Sequence, residues 1–522
     1  MFERTRRLCF TFLLAVSVPF MADVGLGQRV TPSVHTLKNG MKFLFVPRKG
    51  DPNVSCGWIA KVGSVNERPG VTGVAHLFEH MMFKGTHAIG TSNIQQDLKI
   101  IQRLDVLRSE IRQQEESLLE KHRRGVINNP KDPTSRSEQH KKLLTEFNAL
   151  LEQQRELIIK DEFSRLYRNA GGSGMNAGTS WDYTIYFVNV PANKIELWFW
   201  MESDRLANPV FREFYSERDV VYEERRMRVD STPTGKLDEQ FNAMFWQSSP
   251  YSWPVIGWPS DLEGITRKEA LDFFSVHYAP NNLTAVLVGD FDPKHAKIFA
   301  ERYFGRLKRG PRRPEPIRTR EINQLAERRL AGYAETVPTV KVRYHTVADA
   351  HVDEPVLIVL AGILNGRTGR LYKSLVLDQE IATNAGAGVS GLKFDGYFSL
   401  IGVAAKGHKP REVEEALYAE IEGIKQTLVD ARELQKVKNQ QLAGDFRRLR
   451  SKSSLMMQLL VYDAMGSWQN INKFSDRIQA VTRSDIQRIA KKYFHPSNRT
   501  VAIYHSQLDR IDPSPTKQGV AR

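Results

Sequence analysis

The residues His76, Glu79 and His80 form the spacing H-x-x-E-H in a segment that contains no Gly or Pro between Val74 and Lys84. We predict that this segment is helical, and residues four apart on a helix share one face. Two imidazoles on that face can bind one zinc ion, and the glutamate beside them can take a proton from a water molecule at the metal. The alternative is a helix that carries two histidines by chance, because short motifs also occur at random.

A catalytic zinc site needs a third protein ligand and an open coordination position. The best source of that ligand is the acidic segment 216–225, where Glu217 and Glu224 lie seven residues apart, which is two helical turns. On a helix, the side chain of Glu223 would point about 100° away from that of Glu224. On spacing alone, a charged surface helix explains these carboxylates better than metal binding does.

A short pattern that occurs twice divides the chain into two similar parts. Tyr278 begins Y-x-P-x-N-x-T, and Phe494 begins F-x-P-x-N-x-T 216 residues later. Each copy follows an amphipathic helix and leads into a β-branched run, which predicts two copies of one domain. We expect an N-terminal domain at 30–308 and a homologous C-terminal domain at 321–508, joined by a Pro- and Arg-rich linker at 309–320.

Short strand-like runs alternate with helices, which favours an α+β fold of two sheet-plus-helix domains. The first domain is the longer one, and much of its excess lies at about 97–165. Apolar residues there recur at helical spacing among dense charge, with a break at 128–133. This predicts an inserted helical hairpin, which could act as a solvated spacer or as a docking arm or gate. Residues 509–522 are expected to form a tail.

The N-terminus has the pattern of an export signal. Three arginines precede the apolar run 9–20, and Gly25 and Gly27 suit the positions before a cleavage site. We expect a signal peptide at 1–27 and a periplasmic or secreted protein without stable membrane insertion, because the run is short for a bilayer span. An uncleaved N-terminal anchor is the alternative.

The 522-residue chain carries a formal charge of +15. Its basic residues are dispersed and no nucleic-acid fingerprint accompanies them, so we expect a solvated basic surface and no nucleic-acid partner. On charge alone, an envelope protein that binds anionic polymers is a further class. The two cysteines exclude a disulfide framework and a cysteine zinc ribbon.

Three longer motifs surround the residues considered so far. They read H-L-F-E-H-M-M-F-K-G-T, G-G-x-x-x-N-A-x-T-x-x-D-Y-T-x-Y and E-R-D-V-V-x-E-E. Together they resemble the pitrilysin/insulinase metallopeptidase family, above all its two-domain members, which include the mitochondrial processing peptidase β-subunit and bacterial processing-type peptidases. The resemblance covers about 33–508 apart from the hairpin, and it implies the family's fold, of the metalloenzyme LuxS-like class.

The resemblance also implies roles for single residues. His76, His80 and Glu224 would bind one Zn²⁺ per chain. Glu79 would be the general base, and Glu217 would be the supporting acidic residue of the catalytic site.

The implied activity is zinc-dependent hydrolysis of peptides or unfolded polypeptides. Asn176 and Ala177 match the family's edge-strand segment that pairs with the substrate backbone. Such main-chain pairing gives affinity with little demand on the substrate's sequence.

One departure from the family pattern concerns the second domain. Many members carry an Arg and a Tyr there that help to bind substrate, and Val376 and Thr383 stand at the matching positions. Some bacterial relatives divide the zinc motif and the Arg/Tyr pair between two chains. We therefore expect a homo- or heterodimer in which this chain bears the metal. The alternative is a non-catalytic subunit or a peptide-binding member of the family.

Overall fold

Two β-sheets covered by helices form the protein, which confirms the predicted α+β class. The computed structural model describes residues 29–508, so the predicted signal peptide and tail lie outside the described residues. The first sheet, in spatial order β1-β2-β6-β3-β5-β4, consists of β1 Ser33–Thr36, β2 Lys42–Pro47, β3 Asn53–Ala60, β4 Ser173–Thr179, β5 Thr184–Pro191 and β6 Leu283–Gly289. The second sheet, in spatial order β7-β11-β8-β10-β9, consists of β7 Arg328–Ala334, β8 Thr339–Thr346, β9 Ala382–Gly391, β10 Gly396–Ala404 and β11 Arg499–Ser506.

The helices fall into two sets, before and after the start of the second sheet. The first set is α1 Val74–Met81, α2 Ile94–Arg123, α3 Glu138–Leu157, α4 Glu162–Asn169, α5 Ile195–Ala207, α6 Phe214–Arg225, α7 Gly235–Phe245, α8 Pro259–Gly264, α9 Arg267–His277 and α10 Pro293–Phe299. The second set is α11 Glu354–Leu364, α12 Pro410–Gln426, α13 Ala431–Arg450, α14 Lys452–Met465, α15 Phe474–Ala480 and α16 Arg483–Tyr493. Between residues 29 and 508, none of these helices combines the length and apolarity that a membrane crossing requires.

The two copies of the repeated motif build the same turn. The side chain of Asn282 donates a hydrogen bond to the carbonyl of His277 (2.8 Å), and Asn498 donates in the same way to Tyr493 (2.8 Å). Each turn leads into an interior strand, β6 or β11, that is parallel to one neighbour and antiparallel to the other. The repeated asparagine therefore closes the turn that positions an interior strand of each sheet.

The first sheet is buried on both faces. Phe43 and Phe45 pack into the core formed with helices of the same half. Leu44 points to the other face, because side chains alternate along a strand, and there it joins Leu459 and Leu460 of α14. A helix from the C-terminal half thus covers the outer face of the first sheet.

The second sheet receives a helix from the N-terminal half in return. Phe241 of α7 packs against Ala502 and Tyr504 of β11. Asp238 of the same helix accepts a hydrogen bond from the Tyr504 hydroxyl (2.8 Å) and forms an ion pair with Lys341. The two halves therefore exchange one covering helix each, and the domain boundaries drawn from the sequence remain a prediction.

The inserted helical hairpin is present as α2 and α3. Buried Leu104, Leu107 and Ile111 of α2 share a cluster with Phe147 of α3. The hairpin begins before residue 97, because the side chain of Asn93 accepts a hydrogen bond from a backbone N–H of the first turn and so caps the helix.

Candidate metal centre

His76 and His80 lie on α1, whose first turn is held by a buried glutamate. Glu67 accepts hydrogen bonds from the backbone N–H groups of Gly73 (2.9 Å) and Ala75 (2.8 Å). A carboxylate at this end of a helix satisfies free N–H groups and complements the helix dipole. The helix that carries both imidazoles is therefore anchored at its start.

The side chains of His76, His80 and Glu224 converge on one point. Their candidate ligand atoms all lie within 4.8 Å of one another. Oε2 of Glu224 is 3.4 Å from Nε2 of His80 and 3.8 Å from Nε2 of His76. Ligands about 2.0–2.2 Å from a tetrahedral zinc ion lie at about this mutual separation. Among residues 29–508, this is the one cluster of three such side chains that could hold a metal ion.

The other ring nitrogen of His80 is engaged by Glu217. Nδ1 of His80 is 2.9 Å from Oε1 of Glu217, whose Oε2 is 2.5 Å from Nζ of Lys84. A proton on Nδ1 donates to this carboxylate, which leaves the lone pair on Nε2 facing Glu224. Burial alone would lower the pKa of His80, but the acidic side chains around it raise it, so a proton competes with a metal ion for Nε2.

His76 is held in its neutral form. Burial lowers the pKa of His76 to about 3, and the charges of His80 and Arg228 add to this effect. Its Nδ1 is buried and has no hydrogen-bond partner in the part of the chain that the structure describes. A neutral imidazole is the form that binds a metal ion.

Glu79 lies beside the cluster and is not one of its three members. Its Oε2 accepts a hydrogen bond from the hydroxyl of Thr179 at the end of β4 (2.7 Å). Burial raises the pKa of Glu79, and this outweighs the hydrogen bond from Thr179 and the charge of His80. Thr179 was given no role from the sequence, although it stands in the second motif that resembles the family.

Glu224 has a second partner, Arg228, which was given no role from the sequence although it lies four residues further along the chain. Its Oε1 is 2.8 Å from Nη2 of Arg228, so one oxygen faces this arginine and the other faces the histidines. Arg228 lies in the π-helical turn Arg226–Asp230 that continues α6. Glu223 is exposed and pairs with Arg226 (2.9 Å), so it is not brought to the cluster.

Asn176 and Ala177 lie on β4, an edge strand of the first sheet, which pairs on one side with β5. Asn176 is exposed and Ala177 is half-buried. Both line a cavity of about 600 Å³ that Glu79 and His80 also line. An open strand edge therefore runs past the cluster, where an extended peptide can add as a further strand.

The two departures from the family pattern lie in the C-terminal half. Val376 is half-buried against the core of the second sheet. Thr383 is exposed on β9, with its hydroxyl 3.4 Å from the carbonyl of Val403. Neither Val376 nor Thr383 therefore offers the cationic or phenolic group that the Arg and Tyr of other family members carry at these positions.

Sequence comparisons place two stretches of the chain in one family. Residues 44–101 match the family described as insulinase (peptidase family M16), and residues 264–441 match the domain described as peptidase M16 inactive domain. The chain is 25% identical over 476 residues to the zinc protease PqqE of Helicobacter pylori, across 90% of this chain and 91% of that one. It is 20% identical to the uncharacterized zinc protease YmxG of Bacillus subtilis, across 88% of this chain and 95% of that one.

Solved structures share the fold. A protease from Helicobacter pylori superposes with a TM-score of 0.74 at 23% identity, across 91% of this chain and 99% of that one. The periplasmic protease PqqL of Escherichia coli gives 0.66 at 17% identity, across 91% of this chain and 47% of that one. The fold is thus that of the two-domain M16 peptidases. The chain belongs to the pitrilysin/insulinase (M16) family, as its motifs predicted.

Proposed function

We propose that this chain is a zinc-dependent endopeptidase that hydrolyses peptides or unfolded polypeptides. The observation that carries the proposal is the convergence of His76, His80 and Glu224 on one point with Glu79 beside them. The relatives named zinc proteases support it.

The donor set suits one zinc ion per chain. Two neutral imidazoles and one carboxylate are a common catalytic set and leave a coordination position open. When bound, the ion would polarise a peptide carbonyl and make water more acidic.

Glu79 would act as the general base and then as the general acid. Its half-buried carboxylate would take the proton of the attacking water and return it to the leaving amine. The raised pKa of Glu79 suits both steps, and Thr179 fixes one carboxylate oxygen. Glu217 would keep His80 oriented through Nδ1.

The substrate backbone would add to the edge of β4 at Asn176 and Ala177. Backbone pairing orients an extended peptide without reading most of its side chains. This agrees with a preference for unfolded chains, because a folded protein rarely presents a free extended segment.

We further propose that the active unit is a homo- or heterodimer. Val376 and Thr383 cannot supply the Arg and Tyr of other family members, so a relative with that pair would complete the site. Val376 and Thr383, together with the match to the M16 inactive domain, favour a second candidate function. In this second function the chain is a non-catalytic or peptide-binding subunit.

The remaining proposals concern location and boundaries. We propose export to the periplasm or beyond, since PqqL is described as periplasmic and the N-terminal pattern is that of a signal. We retain 30–308 and 321–508 as the two domains with 309–320 as the linker.

The test is hydrolysis of a mixed quenched-fluorescent peptide pool by the zinc-loaded protein. Wild type and Glu79→Gln are compared, each alone and with an Arg/Tyr-bearing relative. Glu223→Gln is the matched control, because it removes an exposed carboxylate that the cluster does not use. Glu79→Gln should retain zinc and lose turnover. A folded, zinc-loaded wild type that cleaves nothing in any combination would favour the non-catalytic subunit.

A further inference from the structure

The last turn of α6 is held by a buried arginine next to the candidate ligand Glu224. Arg225 is the last residue of α6, and its side chain is only 3% exposed. Its Nη1 and Nη2 donate hydrogen bonds to Oε1 and Oε2 of Glu239 on α7, at 2.7 and 2.8 Å. A paired contact of this kind fixes the relative orientation of the two groups. Because rotation of this turn about the helix axis would break the contact, the direction in which Glu224 projects is fixed as well.

A third hydrogen bond from Arg225 reaches the chain segment that borders the start of α1. Its Nη1 also donates to the carbonyl of Gly257 (2.9 Å). The backbone at Gly257 touches the backbone that leads into α1, since a Cβ atom added there would lie 2.4 Å from the carbonyl oxygen of Thr72 and 2.6 Å from Cα of Gly73. Gly73 is the N-cap residue of α1. One guanidinium group therefore connects α6 to the start of the helix that carries both imidazoles.

Hydrogen bonds to α8 hold this border together. Asp261 of α8 accepts from the N–H groups of Gly70 and Thr72, both at 3.1 Å, and from the hydroxyl of Thr72 (2.7 Å). The same hydroxyl accepts from the N–H of Trp258 (3.0 Å). The two segments on either side of the contact thus form one bonded unit, and Arg225 is attached to backbone that is itself fixed.

The carboxylate partner of Arg225 is fixed because α7 is bound to the second sheet on both sides of Glu239. Asp238, one residue earlier, accepts the hydrogen bond from the hydroxyl of Tyr504. Asn242, three residues later, accepts one from Nη1 of Arg343 on β8 (3.1 Å). The C-terminal half therefore supplies the support against which the end of α6 is held.

The ion pair that Glu224 makes directly is a weaker constraint. The side chain of its partner Arg228 is 69% exposed. An exposed ion pair holds its members loosely, because water and salt compete for both charges. A metal ion accepts ligand atoms only within a narrow range of distances. The placement of Glu224 thus depends on the buried contacts of the neighbouring Arg225.

We propose that Arg225 is a positioning residue that holds Glu224 at the distance from His76 and His80 that one metal ion requires. The inference rests on the metal centre of the proposed function. Arg225 is not a ligand and acts through the helix that it shares with Glu224. A site whose ligands are held in place beforehand binds its metal more tightly, because no rearrangement opposes binding.

The experiment measures zinc affinity by competition with a chelating dye, at a temperature where the metal-free proteins are folded. Arg225→Met keeps the aliphatic bulk and removes all three hydrogen bonds, so the zinc Kd should rise about tenfold. Arg225→Lys should recover part of the affinity, because an ammonium group still donates but cannot form the paired contact. Arg226→Met is the matched control, since this neighbouring arginine is exposed and pairs with exposed Glu223. Its Kd should equal that of wild type.

A second readout separates positioning from stability. The visible absorption of the Co²⁺-loaded protein reports the number and geometry of the metal ligands. Arg225→Met should shift this spectrum toward that of Glu224→Ala, which lacks the third ligand, whereas Arg226→Met should keep the wild-type spectrum. If Arg225→Met lowers only the free energy of unfolding and retains wild-type zinc affinity and the wild-type spectrum, Arg225 is purely structural and the proposal is overturned.

Glu239→Gln tests the same contact from α7 and serves if Arg225→Met does not fold. It keeps the shape of the side chain but removes the charge and one acceptor oxygen, so the zinc Kd should rise about threefold. Wild-type affinity in both Glu239→Gln and Arg225→Lys would overturn the proposal.

Peptide cleavage plays no part in these measurements, which separates this inference from the proposed function. A wild type that binds zinc and cleaves nothing refutes the endopeptidase, and Arg225 is then judged on affinity alone. Equal zinc affinities of Arg225→Met and Arg226→Met overturn the role of Arg225 even where wild type cleaves peptides.

Discussion

Asp463 of α14 places Oδ1 2.8 Å from Nζ of Lys42 on β2, which lies 421 residues earlier in the chain. Its Oδ2 is 2.9 Å from Nζ of Lys61 and 2.6 Å from the hydroxyl of Thr284. Burial would raise the pKa of Asp463, but these three partners keep it below its ordinary value. One carboxylate thus fixes the exchanged helix to the sheet of the other half.

Asp463→Ala should lower the free energy of unfolding by about 2–3 kcal/mol, because it removes three hydrogen bonds and leaves two lysines without their buried partner. The cost is limited because both lysines are a quarter to a third exposed and can reach water. Urea unfolding of the zinc-loaded protein measures the change. Glu335→Ala, an exposed surface change, should have almost no effect. Equal stability of the two variants would contradict the role of Asp463.

Glu217→Gln should weaken zinc binding about tenfold, since a carboxylate that accepts a hydrogen bond from a histidine ligand orients the ring and makes it a stronger ligand. The amide can still accept the proton of Nδ1 of His80 but carries no charge, and Lys84 loses its partner. Competition with a chelating dye gives the zinc affinity. Glu223→Gln on the same helix should match wild type. An unchanged affinity in Glu217→Gln would argue against a supporting role.

Thr179→Val should reduce kcat about tenfold at unchanged zinc content, because a general base that loses its fixing hydrogen bond is held less well in the reactive geometry. The change keeps the branched shape and the backbone pairing of β4, so peptide binding should hardly change. Single-turnover rates and peptide titration separate the two effects. A loss of binding at constant single-turnover rate would show that Thr179 acts on the strand edge.

Asp353→Asn should alter the pH dependence of stability. Burial would raise the pKa of Asp353, but Lys492, Tyr493 and Arg488 lower it to about 2. A carboxylate with a lowered pKa stabilises the fold above the ordinary value near 3.8 and loses that contribution as the pH falls toward 2.

Wild type should therefore exceed Asp353→Asn in unfolding free energy by about 1–2 kcal/mol at pH 7, a value reduced by the half-exposed basic partners. The difference should disappear near pH 2. Asp378→Asn, at an exposed position, is the control. Urea titrations between pH 2 and 7 measure it, and a difference that stays constant with pH would refute the linkage.

Local patterns predicted the parts of the molecule that local geometry determines. The spacing of His76 and His80 placed both imidazoles on one helical face, and the repeated asparagines Asn282 and Asn498 close equivalent turns. Both depend on residues close together in sequence. Glu224 was chosen over Glu217 as a ligand only through the family resemblance, because helical spacing treats the two carboxylates alike.

Long-range contacts left no comparable signal. Ile158, which follows α3, lines the cavity beside the candidate site because of how the hairpin packs on the rest of the chain. The exchange of α7 and α14 was also not predicted, since an amphipathic helix does not encode which sheet it covers.

The exchanged helices determine what a cut between the halves would do. A protease that severs the irregular stretch 309–320 would leave α14 seated on the first sheet and α7 on the second. The nicked product would migrate as one particle until a denaturant was added. Each half made by itself would expose a large apolar face and aggregate. The two pieces made in the same cell could assemble into a working split protein, because each supplies the surface that the other lacks.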